Sequence, residues 1–267
     1  MVQDWLLNLP VPLMALIIFA ATYAATALVY FAVTKLAVND RAKAFKALSP
    51  GMLPPLGIIF GLLVGFTAAQ VWSDFEKAKV AVATEASALR SFVLLAARFP
   101  PEQASQLRTL VGEHIDEVVK EEWPAMAEQR KSYADLPAKL IDVLNGTLAL
   151  TPADDGQRLA QREMVDELEK ALDARRQRII LSQSSVSPVK WIGLILQGLC
   201  ALIAIAMVHS DNRTTSTLGL TLFATGIAIS VLLIGCYSTP FTGEISIGPG
   251  LLKQVISEGP HATDFNH

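Results

Sequence analysis

The chain has 267 residues, 52% of them apolar and only 18% charged, with a mean hydropathy of +0.40 and a formal net charge of −3. A soluble globular chain carries nearer a quarter charged residues, so this composition excludes an ordinary soluble enzyme and a disordered chain. The slight negative balance gives no basis for a nucleic-acid surface, and two cysteines cannot build a disulfide framework.

The charges are missing from four stretches. Trp5 to Thr34 (30 residues), Ala47 to Ser73 (27), Trp191 to Ser210 (20) and Thr214 to Gly243 (30) contain no Asp, Glu, Lys or Arg. About 20 apolar residues in a helix cross the hydrocarbon core of a bilayer. The gaps predict four transmembrane helices, at 12–35, 53–73, 190–209 and 215–238. The first is not a cleavable leader, because it lacks a basic start and its apolar run is too long. Pro10 and Pro12 suit a first helical turn. Trp5, Trp72, Trp191 and Tyr237 fall near the span ends, where amphipathic aromatics sit at the interface, and Lys35 and Lys190 are placed to snorkel.

Between the second and third spans lies a polar block, 74–190, holding 35 of the charges. Phe75, Ala78, Val82, Glu85, Leu89, Phe92, Ala96 and Phe99 recur at helical seam spacing, with no break from the span before them. This predicts one helix from 53 to 99, ended by Pro100-Pro101. Leu107, Val111, Ile115 and Val118 mark a second helix within 102–131. Leu140, Val143, Leu144 and Leu148 mark a third over 137–150, weakened by Asn145-Gly146. Val165, Leu168, Leu172, Arg175 and Ile179 mark a last helix to Ser182, with Asp154-Asp155 favouring its start and Pro188 bending the chain before Trp191. No strand alternation occurs. The expected class is all-α and integral to the membrane. The expected segments are membrane helices 1 and 2 in 1–73, an inserted helical stalk in 74–189, membrane helices 3 and 4 in 190–239, and a C-terminal tail in 240–267, disordered from 258.

Glu85 and Arg175 break their own apolar stripes, and a bare charge in a packed seam needs a partner. Glu85 lies about 12 residues, or roughly 18 Å of helix, beyond Ser73. Arg178 and Arg175 lie at similar distances before Lys190. An antiparallel pairing predicts an ion pair between Glu85 and Arg178 or Arg175, a structural clamp rather than catalytic machinery.

No enzyme motif is present. His114, His209, His261 and His267 share no ligand spacing, so no metal is expected, and no nucleotide-binding glycine pattern or other cofactor signature occurs. Cys200 and Cys236 read as small packing residues within spans. Glu121 and Glu122 are helix neighbours and do not face one another. The second span is the most informative. Gly57, Gly61 and Gly65, followed by Ala68 and Ala69, let helices approach closely, either within one subunit or around a symmetry axis. Ile59, Leu63 and Phe66, then Gln70, are candidate pore-lining residues: an apolar constriction that gates by dewetting, with a polar mouth. No ionisable residue lies deep in a span, which excludes an ion-coupled transporter built on buried carboxylates but not a passive channel.

Four segments carry a resemblance: "GFTAAQVWSDFEKAKVAVATEASALRS" with Trp72; "VVKEEWPAM" with Glu122, Trp123 and Pro124; "DARRQRI" with Arg175 and Arg178, followed by Pro188 and Trp191; and "STPFTGEISIGPGLL" with Pro240, Phe241 and Gly243. Together they make the chain resemble the bacterial bestrophin-like domain family, whose members are largely of unknown function. The family is named for similarity to bestrophins, pentameric anion channels with four membrane helices per subunit and a pore lined by the second. The resemblance implies a homo-oligomer, a pentamer, with a small inorganic anion as permeant species. Ile59 and Leu63 would then supply two of the apolar neck positions, and Thr67 or Phe66 the third. No acidic calcium clasp is present. The alternative is a non-conducting scaffold or sensor in the lipid bilayer whose helical domain binds a protein partner. The expected location is the bacterial inner membrane. Arg41, Lys43, Lys46 and Arg213 in the short loops put those loops in the cytoplasm and lean the helical domain towards the periplasm, whereas the resemblance implies a cytosolic domain.

Overall fold

The computed structural model describes residues 9–37, 45, 50–128, 137–210 and 212–257. Trp5, Arg41, Lys43, Lys46 and the segment from 258 onward lie outside the described residues. The structure is all-helical: α1 (Val11–Leu36), α2 (Leu53–Ala96), α3 (Pro101–Glu117), a π-helical segment (Val118–Glu122), α4 (Trp123–Ala127), α5 (Ala138–Leu148), α6 (Asp155–Ser182), α7 (Pro188–Val208), α8 (Arg213–Tyr237) and α9 (Gly250–Ser257). Prolines open several of these helices. Pro54 and Pro55 stand in the first turn of α2, Pro101 starts α3 and Pro188 starts α7, where a missing N–H costs nothing. Side chains cap others. Asp154 Oδ1 accepts from Gln157 N at 2.7 Å while Gln157 Oε1 accepts from Ala153 N at 2.8 Å, and Asn212 Oδ1 accepts from Thr215 N at 3.2 Å.

The chain divides into two compact units. Unit 1 comprises 1–73, 185–239 and 243–245; unit 2 comprises 74–184, 240–242 and 246–267. Unit 1 holds α1, the first half of α2, α7 and α8, and all four helices are long and apolar enough to cross a membrane. Only 17–33% of their most apolar windows is buried inside the protein, as for helices whose remaining surface is solvated by lipid. Helix α1 packs on α7 and α8, and α7 packs on α8. Phe60 and Val71 of α2 join Leu194, Leu202, Leu220 and Ile227 in the buried cluster. Gly198 makes this approach possible: a Cβ there would stand 3.2 Å from Ile227 and 3.5 Å from Phe60. Helix α1 has no side-chain cap of its own, and Val11 N donates instead to Glu244 Oε2 at 2.8 Å.

Unit 2 is a helical bundle around Leu89, Phe92, Leu107, Ile115, Met164 and Leu168. The α2 seam is buried at Ala78, Val82, Glu85, Leu89, Phe92, Ala96 and Phe99, while Phe75 is half-buried. The helix ends at Ala96 rather than Phe99: two tight turns, Arg98 N to Leu95 O and Phe99 N to Ala96 O, precede the prolines. The helix expected over 102–131 is interrupted by the π segment, and its described helical part ends at Ala127. On α5 Thr147 is buried, its hydroxyl donating to Val143 O, and Leu148 is exposed, because the helix ends there. On α6 the buried stripe runs through Met164, Leu168, Ala171, Arg175, Arg178 and Ser182, with Val165 and Leu172 only half-buried. Leu168, Arg175 and Ile179 of the expected stripe are buried, and Met164 and Ala171 take the places expected for Val165 and Leu172. As expected, α6 ends at Ser182, and α7 starts afresh at Pro188 before Trp191. Segment 240–257 is not a free tail. Phe241, Leu252 and Val255 are buried in the core of unit 2.

Candidate functional site

Two arrangements stand out, one in each unit. In unit 1, helix α2 packs through Phe60, Thr67 and Val71 and leaves its opposite face open. Ile58, Leu62 and Phe66, each four residues apart, are 62%, 54% and 73% exposed. Ile59 and Gln70 border this face and are exposed. Leu63 is not part of it: the side chain is half-buried against the unit 1 core, and a Cβ on Gly193 of α7 would lie 3.8 Å from it. Thr67 is buried too, 4% exposed, with its hydroxyl donating to Leu63 O. Gly57, Gly61 and Gly65 form the other border, and a Cβ on any of them would meet nothing within 4 Å. The ladder therefore packs against nothing within this chain's described residues. At the far end of the span Lys190 Nζ donates to Gln70 Oε1, and the Trp72 and Tyr237 rings meet at a 44° tilt with centroids 5.2 Å apart.

In unit 2 the structure brings together four buried charges. Arg178 grips Glu85 with a fork, Nε to Oε2 at 2.7 Å and Nη2 to Oε1 at 2.9 Å, and both side chains are 0% exposed. The same Nη2 reaches Glu122 Oε2 at 3.1 Å. Arg175 pairs with Glu122 rather than Glu85, Nε to Oε1 at 2.9 Å with Nη2 on the same oxygen. Bidentate charge-assisted bonds of this kind are strong and directional. Arg178 also donates to Met126 Sδ at 3.3 Å, and its guanidinium carbon sits 4.9 Å from the centre of the Trp123 ring. Burial opposes the charge on Arg178, but Glu85 and Glu122 outweigh it and hold the group above its ordinary value. With two carboxylates and two guanidiniums the cluster is neutral, so it ties α2, the π segment and α6 together without leaving a buried net charge.

Glu122 sits on the seam begun by Leu107, Val111, Ile115 and Val118. Glu122 lies four residues after Val118 and four before Met126, so all three share the buried face across the π segment while Glu121 is exposed. His114, one turn earlier, is 2% exposed and its Nε2 has no hydrogen-bond partner. Burial lowers its pKa to about 4; Glu122 opposes the shift and Arg178 and Arg175 add to it. Trp123 Nε1 donates to Ile247 O at 3.1 Å, and its ring meets Phe241 edge-on at 5.6 Å. Pro240 O accepts from Ile247 N at 2.9 Å, Pro124 stands in the first turn of α4, and Gly243 takes the left-handed φ of 86° that the turn between Pro240 and Ile247 requires. Trp191 packs half-buried against unit 1. Among the described residues no cluster of His, Cys, Asp or Glu could hold a metal ion.

Glu122, His114 and Met126 were not identified as site residues by their sequence positions, nor were Ile58 and Leu62. The adjacency of Glu122 to an apolar Trp-Pro pair is one local signal. Its place four residues after Val118, on the stripe of Leu107, Val111 and Ile115, is a second signal in the spacing.

The family model for the bestrophin-like domain matches residues 20–252. No curated protein matches the sequence significantly. Similar solved structures include two variants of a bacterial bestrophin homolog from Klebsiella pneumoniae. One has TM-score 0.69 at 13% identity over 91% of this chain and 98% of that one; the other has TM-score 0.67 at 13% identity over 91% and 96%. A structure described as a membrane protein gives TM-score 0.70 at 12% identity over 91% and 96%. At these identities the likeness is one of fold.

Proposed function

We propose a function from one premise: the chain belongs to the bestrophin-like domain family. It is a multi-pass membrane protein, channel-like in architecture, and our reading is a homo-oligomeric ring, a pentamer, that conducts small inorganic anions along α2. One observation carries this reading. The open face of α2 presents Ile58, Leu62 and Phe66 one turn apart, beside a glycine border with free space over every Cβ. Glycines at that spacing suit close approach of a second copy, and three large apolar side chains in register suit a constriction that conducts only when wetted. The pore line expected from sequence thus moves by about a quarter-turn, keeping Phe66, with Ile59 and Gln70 at its edge and Leu63 assigned to packing. Lys190 on Gln70 supplies positive charge near the mouth, which favours an anion. No enzymatic role is assigned.

The test is halide flux into liposomes holding the purified oligomer. Leu62→Ala is expected to raise conductance several-fold, while Leu63→Ala changes stability more than conductance. Folded, symmetric oligomer with no flux for any halide would refute conduction and favour a scaffold whose helical domain binds a protein partner.

A further inference from the structure

A groove opens on unit 1 at the end of the membrane span where α2 begins and α7 ends, with a volume of about 250 Å³. Leu53 and Leu56 form one wall, and Cys200, Ala204, Met207 and Val208 the other. Every lining side chain is apolar apart from the one thiol. Gln197, one turn further into the span, donates from Nε2 to Leu56 O at 3.4 Å and ties the two helices together there. Methionines at the rim give a wall that adapts to a flexible guest.

Charge is distributed unevenly around this groove. The charged side chains among the described residues of unit 1 are Lys35, Lys190, Arg213 and Glu244. Lys190 at the start of α7 and Glu244 on the start of α1 belong to the opposite end of the span. The groove's own end has Lys35 in the last turn of α1 and Arg213 at the first position of α8, and no described carboxylate. Neither cation makes an ion pair among the described residues. The turn from α7 to α8 is tight, with Ser210 N on Met207 O and Asn212 N on His209 O, so Arg213 follows directly on the groove wall. His209 bonds Ile205 O through Nδ1, so that nitrogen is already engaged.

We propose that this groove seats an acyl chain of an anionic glycerophospholipid whose phosphate lies against Arg213. An apolar crevice bordering hydrocarbon is filled by hydrocarbon, and a cation at the level of the headgroups, with no ion pair among the described residues, selects a negative one. The inference does not depend on conduction: the site would bind lipid whether or not α2 lines a pore.

The test uses the full chain in detergent with Cys236→Ala, which leaves Cys200 in the groove wall as the sole thiol. Added phosphatidylglycerol is expected to slow N-ethylmaleimide alkylation of Cys200 at least fivefold and phosphatidylcholine less than twofold, and Arg213→Gln is expected to erase the difference. Native mass spectrometry should find one phosphatidylglycerol retained per protomer, lost in Ala204→Trp. Equal protection by both lipids, or none, overturns the proposal. Protection that follows protein concentration and ignores lipid puts a second copy in the groove and overturns it equally.

Discussion

His114 offers a quantitative test of the buried cluster. In the folded chain burial keeps this imidazole neutral down to about pH 4, whereas in the unfolded chain it titrates near 6.5. Above pH 6.5 both states are neutral there and the residue adds no pH dependence. As pH falls from 6.5 to about 4, the unfolded chain takes up a proton that the folded one refuses. Stability is lost at about 1.4 kcal/mol per pH unit, about 3 kcal/mol in all. For a chain of this size that is on the order of 6–12 °C in Tm. Glu85 and Glu122 also respond to acid, so the measurement is a difference. Thermal unfolding of wild type and His114→Leu in detergent is followed from pH 7.5 to pH 4. The substitution removes both the titrating group and an unpartnered buried nitrogen. Removing the nitrogen sets a pH-independent offset near neutral pH, and between pH 7.5 and pH 4 the variant should gain about 3 kcal/mol on wild type. Parallel curves would refute the assignment of His114 as a neutral buried group beside the arginines.

The charge cluster makes a second prediction. Glu85→Met alone should cost about 3–5 kcal/mol by leaving Arg178 short of a carboxylate, while Glu85→Met with Arg178→Met should recover most of that loss, because Arg175 and Glu122 still pair; denaturant unfolding of the four proteins reads the coupling. Removing the α6 cap with Asp154→Ala should cost about 1 kcal/mol, seen as a lower Tm with no change in oligomer size. Phe241→Ala should cost about 3–5 kcal/mol by opening a cavity beside Trp123, with tryptophan fluorescence shifting to the red.

The four membrane helices were legible because a soluble helix rarely runs 20 or more residues without a charge, and the observed helices start and stop within three residues of the expected bounds, α2 included, which runs on past Ser73 to Ala96 against an expected 99. The α2 seam was legible because Glu85 is the only charge on an apolar stripe, which demanded a partner. What could not be read was which arginine meets which glutamate. That depends on the relative height of helices packed side by side, and Arg175 and Arg178 differ by only one turn, so spacing along each helix leaves the pairing open. Which face of α2 stays open could not be read either. Leu63 and Leu62 are equally apolar, and only the position of α7, brought close at Gly193 and Gly198, decides which one is packed. Segment 240–257 looked like a tail because its anchors, Phe241, Leu252 and Val255, are too few and too far apart to announce an element.

The bond from Val11 to Glu244 joins groups 233 residues apart in the chain. A ribosome adding roughly 5–20 residues per second releases the acid some ten to fifty seconds after the amide it will receive. Throughout that interval the leading helix rests in the bilayer with its positive dipole end unanswered. The stop arrives only after the fourth span has been made, so the earliest of the four to be inserted is among the last to be locked.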